Sequence, residues 1–254
     1  MILPKIKVLR SHGRQYIPDL NAVELTEEFR GRPVLTAGGP AEELRKAAAL
    51  CPTGAIATAP LSLDLGRCLF CGECARTAPG SIRFTNDYRM GSATREGLVV
   101  RPGDTFVRFD ADRVRREIVS FFGHTLKLRE VCAGGDGSVE MELNATGNVN
   151  FDFGRYGVEF TASPRHADGV VLSGPVTRNM AEALEICYQA IAEPKLLIVC
   201  GSEACSGGLF AESRAVDRSF LERHRVDLWL PGTPTHPIVF IDGILTLLGK
   251  KQRK

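Results

Sequence analysis

The sequence predicts an α/β and α+β protein in two parts. A small α+β unit over residues 1–109, built around cysteines, precedes an open, mostly parallel sheet covered by helices over residues 110–254. Three observations carry this reading. Gly169-Val170-Val171-Leu172 and Leu196-Leu197-Ile198-Val199 are continuous apolar runs, as strands buried on both faces are, and each passes into a glycine loop and then helical or polar sequence. Leu61-Ser62-Leu63-Asp64-Leu65 alternates instead, as a strand with one buried face does. Cys68, Cys71 and Cys74 are separated by two residues each, with a fourth thiol upstream in Cys51-Pro52. At 254 residues the chain is long enough for two cores.

In chain order, residues 1–40 form a lead-in that contains Phe29-Arg30-Gly31-Arg32-Pro33. Residues 41–50 read as a helix, rich in Ala, Leu, Glu, Lys and Arg, with Leu44 and Ala47 or Ala48 on one face. Cys51-Pro52-Thr53-Gly54-Ala55-Ile56 ends that helix and enters a strand. Gly66 turns the chain into the cysteine triplet, and Ser81-Ile82-Arg83-Phe84-Thr85 returns as a strand, giving a compact βαβ-like repeat. Residues 86–109 are an irregular connector with a strand-like Gly97-Leu98-Val99-Val100. Asp110 is placed to cap a helix over residues 111–122 whose stripe is Val114, Ile118, Val119 and Phe122, and Gly123 stops it. Residues 126–131 alternate as a strand and lead into Gly134-Gly135-Asp136-Gly137-Ser138. A long helix is expected over residues 179–192. Function in such a sheet is expected at the loops that follow the strands.

Cys51, Cys68, Cys71 and Cys74 are the candidate metal and cofactor ligands, and a thiolate triplet plus Cys-Pro is the pattern that holds one [4Fe–4S] cluster. Structural zinc is the alternative, but zinc sites usually combine two separated C-x2-C pairs. Two-cluster ferredoxins interleave two such runs. The positions that would serve a second cluster here are Ala41, Leu44, Ala47 and Ala78, all apolar. The pattern is that of a ferredoxin fold that kept one cluster site and lost the other as a unit.

Residues 29–85, with FRGRP, CPTGAI and LDLGRCLFCGEC, resemble the ferredoxin subunit of formate hydrogenlyase and the related complex I subunit, in which both clusters are normally present. Residues 126–236 resemble the small electron-transfer subunit of membrane-bound group 4 [NiFe] hydrogenases and the 20 kDa-type subunit of complex I. The matching motifs are Arg155-Tyr156-Gly157-Val158, Ser163-Pro164-Arg165-His166-Ala167-Asp168, Gly174-Pro175-Val176-Thr177-Arg178-Asn179-Met180, Gly207-Gly208-Leu209-Phe210 and Pro231-Gly232-Thr233-Pro234. The chain thus resembles a natural fusion of the two, of the kind found in energy-converting hydrogenase-related complexes.

The second family holds a [4Fe–4S] cluster on four cysteines, and the resemblance puts those positions on Asp136, Val139, Glu203 and Thr233. None is cysteine, so the resemblance implies that the cluster nearest the large subunit is absent. Cys132, Cys200 and Cys205 could hold a relocated site with Asp136 or Glu203, or be buried as small hydrophobes, the fate also expected of Cys187. Asp136, Glu203 and Glu140 could form a protonatable or ion-binding group; otherwise Asp136 caps a helix and Glu203 sits in a solvated loop.

A net charge of +2 offers no long-range field for nucleic acid. No apolar run is long enough to span a bilayer, and the first residues lack a signal-peptide core. The expected location is cytoplasmic, peripheral on the inner face of the cell membrane through a complex. The tail Lys250-Lys251-Gln252-Arg253-Lys254 reads as a frayed, solvated end, with contact to anionic lipid or an acidic subunit as the alternative. No nucleophile–base pair stands out, so the chain is expected to be a non-catalytic subunit. The resemblance implies a hydrogenase large subunit or complex I 49 kDa-like partner at the loops of Asp136, Glu203 and Thr233, and antiporter-like membrane subunits through the complex. It leaves three readings: a repurposed subunit with one cluster in a structural or cation-coupling role, a working electron-transfer subunit, and a scaffold without a cluster.

Overall fold

The computed structural model describes residues 2–13, 16–20, 23–114 and 116–251. Its elements are α1 (Ile2–His12), β1 (Pro33–Leu35), α2 (Ala41–Leu50), β2 (Ile56–Thr58), β3 (Leu61–Asp64), α3 (Glu73–Thr77), β4 (Ile82–Phe84) and β5 (Val99–Val100) in the first part. There follow α4 (Arg116–Phe122), β6 (Leu126–Cys132), α5 (Ser138–Ala145), β7 (Val158–Phe160), β8 (Gly169–Ser173), α6 (Arg178–Gln189), β9 (Leu196–Cys200), α7 (Ser202–Ser206), α8 (Ser219–Arg223), β10 (Leu228–Leu230) and α9 (Pro237–Leu247).

In the second part a five-stranded sheet runs in the order β10-β9-β8-β6-β7, every pair parallel. β8 and β9 are buried at every residue, as their unbroken apolar sequences predict. α9 is buried at every residue too, so it is a core helix and not an amphipathic cover. Its Phe240 packs on Phe153 and Phe160, and a Cβ at Gly243 would stand 2.4 Å from Leu230, so only glycine lets the helix approach β10 this closely.

The first part is antiparallel: β1 pairs with β4, and β3 lies between β2 and β5. The βαβ-like order expected there occurs twice, as β1-α2-β2 and β3-α3-β4, and the two units pair with each other through antiparallel strands. Only two residues join β2 to β3, and so short a connection requires antiparallel neighbours, because a parallel pair needs a long crossover. Of the strand-like 97–100 stretch only Val99–Val100 joins this sheet, as β5, and Gly97-Leu98 belongs to a 3-10 turn over Glu96–Leu98. Leu44, Ala47 and Ala78, three of the apolar residues at the lost ligand positions, are buried in the core beside α2 and α3.

The helix expected over residues 111–122 is broken. Asp110 caps a 3-10 turn, Ala111–Arg113, by accepting from the Asp112 N–H; Val114 is extended; and α4 begins only at Arg116. Ile118 and Phe122 are buried, but Val119 is 42% exposed. α6 ends at Gln189, three residues before the expected limit.

Several contacts join the two parts, and two of them reach β10 and α7. Ser92 and Trp229 exchange backbone hydrogen bonds of 3.0 and 2.8 Å, which covers the open edge of β10. Arg95 holds Asp64 through two bonds of 2.7 and 2.8 Å and donates through Nε to the Cys205 carbonyl at 3.2 Å. Lys251 is not solvated: its side chain, 8% exposed, pairs with Asp242 at 2.7 Å, whereas Lys250 is exposed and donates from Nζ to the Tyr156 carbonyl. Residues 252–254 of the tail lie outside the described residues.

One surface cluster bears on pH. Arg223 and His224 both donate to Glu185, as does Gln189, and His224 stacks on Tyr188 and Phe220. Burial raises the Glu185 pKa, but the bonds from His224, Arg223 and Gln189 outweigh it and bring the carboxyl down to about 2. A folded-state pKa below the unfolded one stabilises the fold above the unfolded value, and that contribution is lost as pH falls toward the folded value. Wild type is therefore expected to lose about 1–2 kcal/mol relative to Glu185→Gln between roughly pH 5 and 2 in chemical denaturation.

Candidate functional site

The four candidate ligands come together from three segments. Cys51 ends α2, Cys68 follows the turn after β3, Cys71 lies in the loop before α3, and Cys74 is inside α3. All four line one cavity, whose walls are otherwise mostly apolar, among them Ala47, Ala55, Ile56, Leu63 and Phe84. Cys68 and Cys74 are buried, Cys51 is half-buried and Cys71 is exposed.

The backbone turns toward these sulfurs. The Ala55 N–H donates to Cys51 Sγ at 3.2 Å and the Phe70 N–H to Cys68 Sγ at 3.3 Å. Phe70 takes φ = 53° and Gly72 φ = 82°, a left-handed path that is costly for a bulky residue. Arg30 holds it by donating from Nε to the Phe70 carbonyl at 2.5 Å. Burial, against the Phe70 N–H bond and with the neighbouring thiols, pushes Cys68 up to about 12; burial and Cys71 push Cys74 up to about 11. Thiols so placed stay protonated by themselves, and a bound cationic centre is what would hold them as thiolates.

Among the described residues, no group of three or more His, Cys, Asp or Glu side chains closes on a point suited to a single metal ion. A cubane instead takes one thiolate at each of four separate irons, which sets its sulfurs around the rim of a cavity. Four soft donors, an apolar wall and two N–H···S bonds fit such a group.

The second constellation lies at the C-terminal edge of the parallel sheet. Asp136 and Val139 follow β6, Glu203 follows β9 within α7, and Thr233 follows β10. The loops after β6 and β8 meet backbone to backbone, since a Cβ on Gly174 would stand 2.5 Å from the Gly135 nitrogen. Val139 packs against Gly201, and the Ser202 and Thr233 hydroxyls bond to each other. The four positions are thus occupied by side chains that satisfy or pack against near neighbours. Asp136 accepts from the Ser138 N–H at 2.9 Å and hydroxyl at 2.6 Å, which holds its carboxyl below the usual range and primes α5. Glu203 is in a short helix and not in a solvated loop; burial, then Asp136 and Glu140, raises its pKa. Burial and Glu140 likewise raise Glu130, and Glu140 accepts from Ser173 at 2.5 Å.

Cys200 and Cys205 are buried, at 0% and 3% exposure, and Cys205 Sγ donates to the Leu230 carbonyl. Burial pushes the thiol of Cys205 up to about 12 and that of Cys200 higher still. Cys132 and Cys187 are half-buried. Three arginines outside the expected site residues organise the region. Besides Arg30 and Arg95, Arg218 donates to the carbonyls of Pro175, Glu203 and Ala204, at 3.3, 3.2 and 2.7 Å. The FRGRP motif is the one sequence signal for the first of these; nothing local marks the other two, because most of their acceptors are distant in sequence.

A cleft of about 300 Å³ joins the two constellations. Cys71, Phe70 and Arg30 line one side and Thr233, Glu142 and His236 the other. His236 accepts from the Ile238 N–H at Nδ1, Phe29 meets its ring edge-on, and burial lowers its pKa.

Residues 132–247 match the family described as NADH ubiquinone oxidoreductase, 20 Kd subunit. An NADH-quinone oxidoreductase subunit from Heliobacterium modesticaldum is 42% identical over 44% of this chain and 65% of its own length. The corresponding subunit from Desulfovibrio desulfuricans is 40% identical over 42% of this chain and 58% of its own length. The chain therefore spans less than two thirds of either relative. A chain in the structure of the membrane-bound sulfane sulfur reductase, an archaeal respiratory membrane complex, overlaps 52% of this chain and 73% of its own, with a TM-score of 0.46 and 22% identity.

Proposed function

From a 20 kDa-type unit homologous to known NADH-quinone oxidoreductase subunits over residues 132–247, we propose that this chain is a peripheral iron–sulfur subunit of a membrane-anchored, respiratory-complex-like assembly. Its one [4Fe–4S] cluster is held by Cys51, Cys68, Cys71 and Cys74 in a ferredoxin-like unit over residues 1–109. The hydrogenase-type unit over residues 110–254 carries none. The observation that supports this most is the contrast between the two constellations: one is four thiols around a single cavity, the other half-buried Val139 and Glu203 with exposed Asp136 and Thr233, which bond to Ser138 and Ser202. Soft thiolates are what cubane clusters require, and Val139 offers no donor at all.

When bound, the cluster supplies a one-electron redox centre. This chain's residues would cage it, aim N–H groups at its sulfurs and keep it within a few side chains of the cleft. The sheet edge then serves as a docking face for a large subunit of the hydrogenase or complex I 49 kDa type, with antiporter-like membrane subunits further off. The role assigned is structural, or coupling in cation translocation. Such a subunit sits on the cytoplasmic face of the membrane; among the described residues no helix is long and apolar enough to cross it.

Electron transfer is the second reading. The cleft favours it, because exposed Cys71 opens on the space that reaches Thr233. Iron analysis of the chain isolated anaerobically in its complex separates the two. About four irons per chain is the expected result, and about eight would overturn the single-cluster assignment.

A further inference from the structure

We infer that α1 is a lipid-binding element that lies in the headgroup region of an anionic bilayer. Residues 1–18 carry four of the chain's 32 Lys and Arg, namely Lys5, Lys7, Arg10 and Arg14, and none of its 30 Asp and Glu. The rest of the chain therefore has a formal net charge of −2, and the overall +2 hides a basic arm on a weakly acidic body. Long-range attraction to an anionic surface thus comes from this segment.

The helix also presents apolar anchors on the same side as two of its charges, Lys7 and Arg10, while Lys5 lies across the helix from them. Leu3, Ile6, Lys7 and Arg10 fall at i, i+3, i+4 and i+7, which is one face. Leu3 is 75% exposed, Ile6 is 40% exposed, and Lys5, Lys7 and Arg10 are exposed as well. A face of apolar side chains flanked by long cations suits a lipid interface, where the stems lie among acyl chains and the charged heads reach phosphates. An acidic protein surface would match the cations but leave Leu3 and Ile6 in contact with polar groups. Eleven residues span about 16 Å, too short to cross a bilayer and long enough to lie in its surface.

The segment after the helix is tied to the body, so binding by α1 would bring the rest of the molecule to the membrane. The Ile17 N–H donates to the Asn150 carbonyl at 2.9 Å, Arg155 donates to the Ile17 carbonyl at 2.7 Å, and the Arg155 guanidinium covers the Tyr16 ring. The site is remote in kind from the four cysteines: it uses no metal ligand, and its success or failure leaves the cluster assignment untouched.

The test is vesicle flotation of the full-length chain with its iron bound. Vesicles of phosphatidylcholine with about one third phosphatidylglycerol are compared with phosphatidylcholine alone, at low and high salt. Wild type is expected to float with the anionic vesicles only and to be released by high salt. The triple variant Lys5→Gln, Lys7→Gln, Arg10→Gln should partition roughly a hundredfold more weakly. The double variant Leu3→Ser, Ile6→Ser should also release, with the charges intact. Because these side chains are exposed, both variants should keep wild-type iron content and circular dichroism. Failure of wild type to float, equal flotation with neutral vesicles, or unchanged flotation of the triple variant would overturn the inference. The first of these would point instead to a protein partner for the arm.

Discussion

Cys71→Ser is expected to lower bound iron from about four atoms per chain to near zero, to abolish the thiolate-to-iron absorption, and to destabilise the first part by more than about 4 kcal/mol in anaerobic denaturation. Cys71 is the most informative of the four, because its side chain is exposed in the fold. A serine there leaves no cavity and no buried hydroxyl, so packing gives no reason for a large loss. What it removes is one thiolate, and a hydroxyl is too hard a donor to replace it on iron. Cys187→Ser is the matched control: that half-buried residue lies on α6, far from the cavity in sequence, and should leave iron content unchanged. If Cys71→Ser retained both full iron and wild-type stability, the four-cysteine assignment would fail, whatever the second part does.

The other large effect is expected at Lys251. Its ammonium pairs at 2.7 Å with Asp242, which is 1% exposed on the wholly buried α9, and it also lies over the Tyr88 ring and near the Leu20 carbonyl. Lys251→Met keeps much of the stem but leaves a carboxylate buried without its cation. The expected cost is about 3–5 kcal/mol of unfolding free energy. The double variant Lys251→Met, Asp242→Leu should recover most of it, because two apolar groups of similar size need no mutual compensation. A double-mutant cycle by urea denaturation checks this, and additive single effects would show that the pair is not coupled. The pair also fixes the chain past α9 against the first part, since Tyr88 donates to the Leu20 carbonyl beside it.

How much was legible depended on whether the cause was local. The helix over residues 41–50 and the strands near 56–58, 61–64, 82–84, 169–173 and 196–200 follow from propensity and periodicity, which act over a few residues. The parallel second sheet follows from continuous apolar runs separated by helix-length connections. The helix over residues 111–122 failed as a single element because extended Val114 packs its side chain against the core, a tertiary demand that overrides a weak local preference. Lys251 read as solvated because its partner lies elsewhere in the fold: it meets Asp242 only once α9 is buried.

The chain's sequence by itself determined which donors exist. Thiols stand at residues 51, 68, 71 and 74, and none stands at 136, 139, 203 or 233, and no folding can alter that inventory. Tertiary structure alone decided where those groups lie. It set four thiols around one apolar cavity, bent the loop at Phe70 under the hold of Arg30, fastened Arg95 and Arg218 to the carbonyls around α7, and left the basic face of α1 in solvent. The physical reason is that ligand chemistry resides in a side chain, whereas burial, approach and the direction of a hydrogen bond are properties of pairs that the chain brings together only on folding.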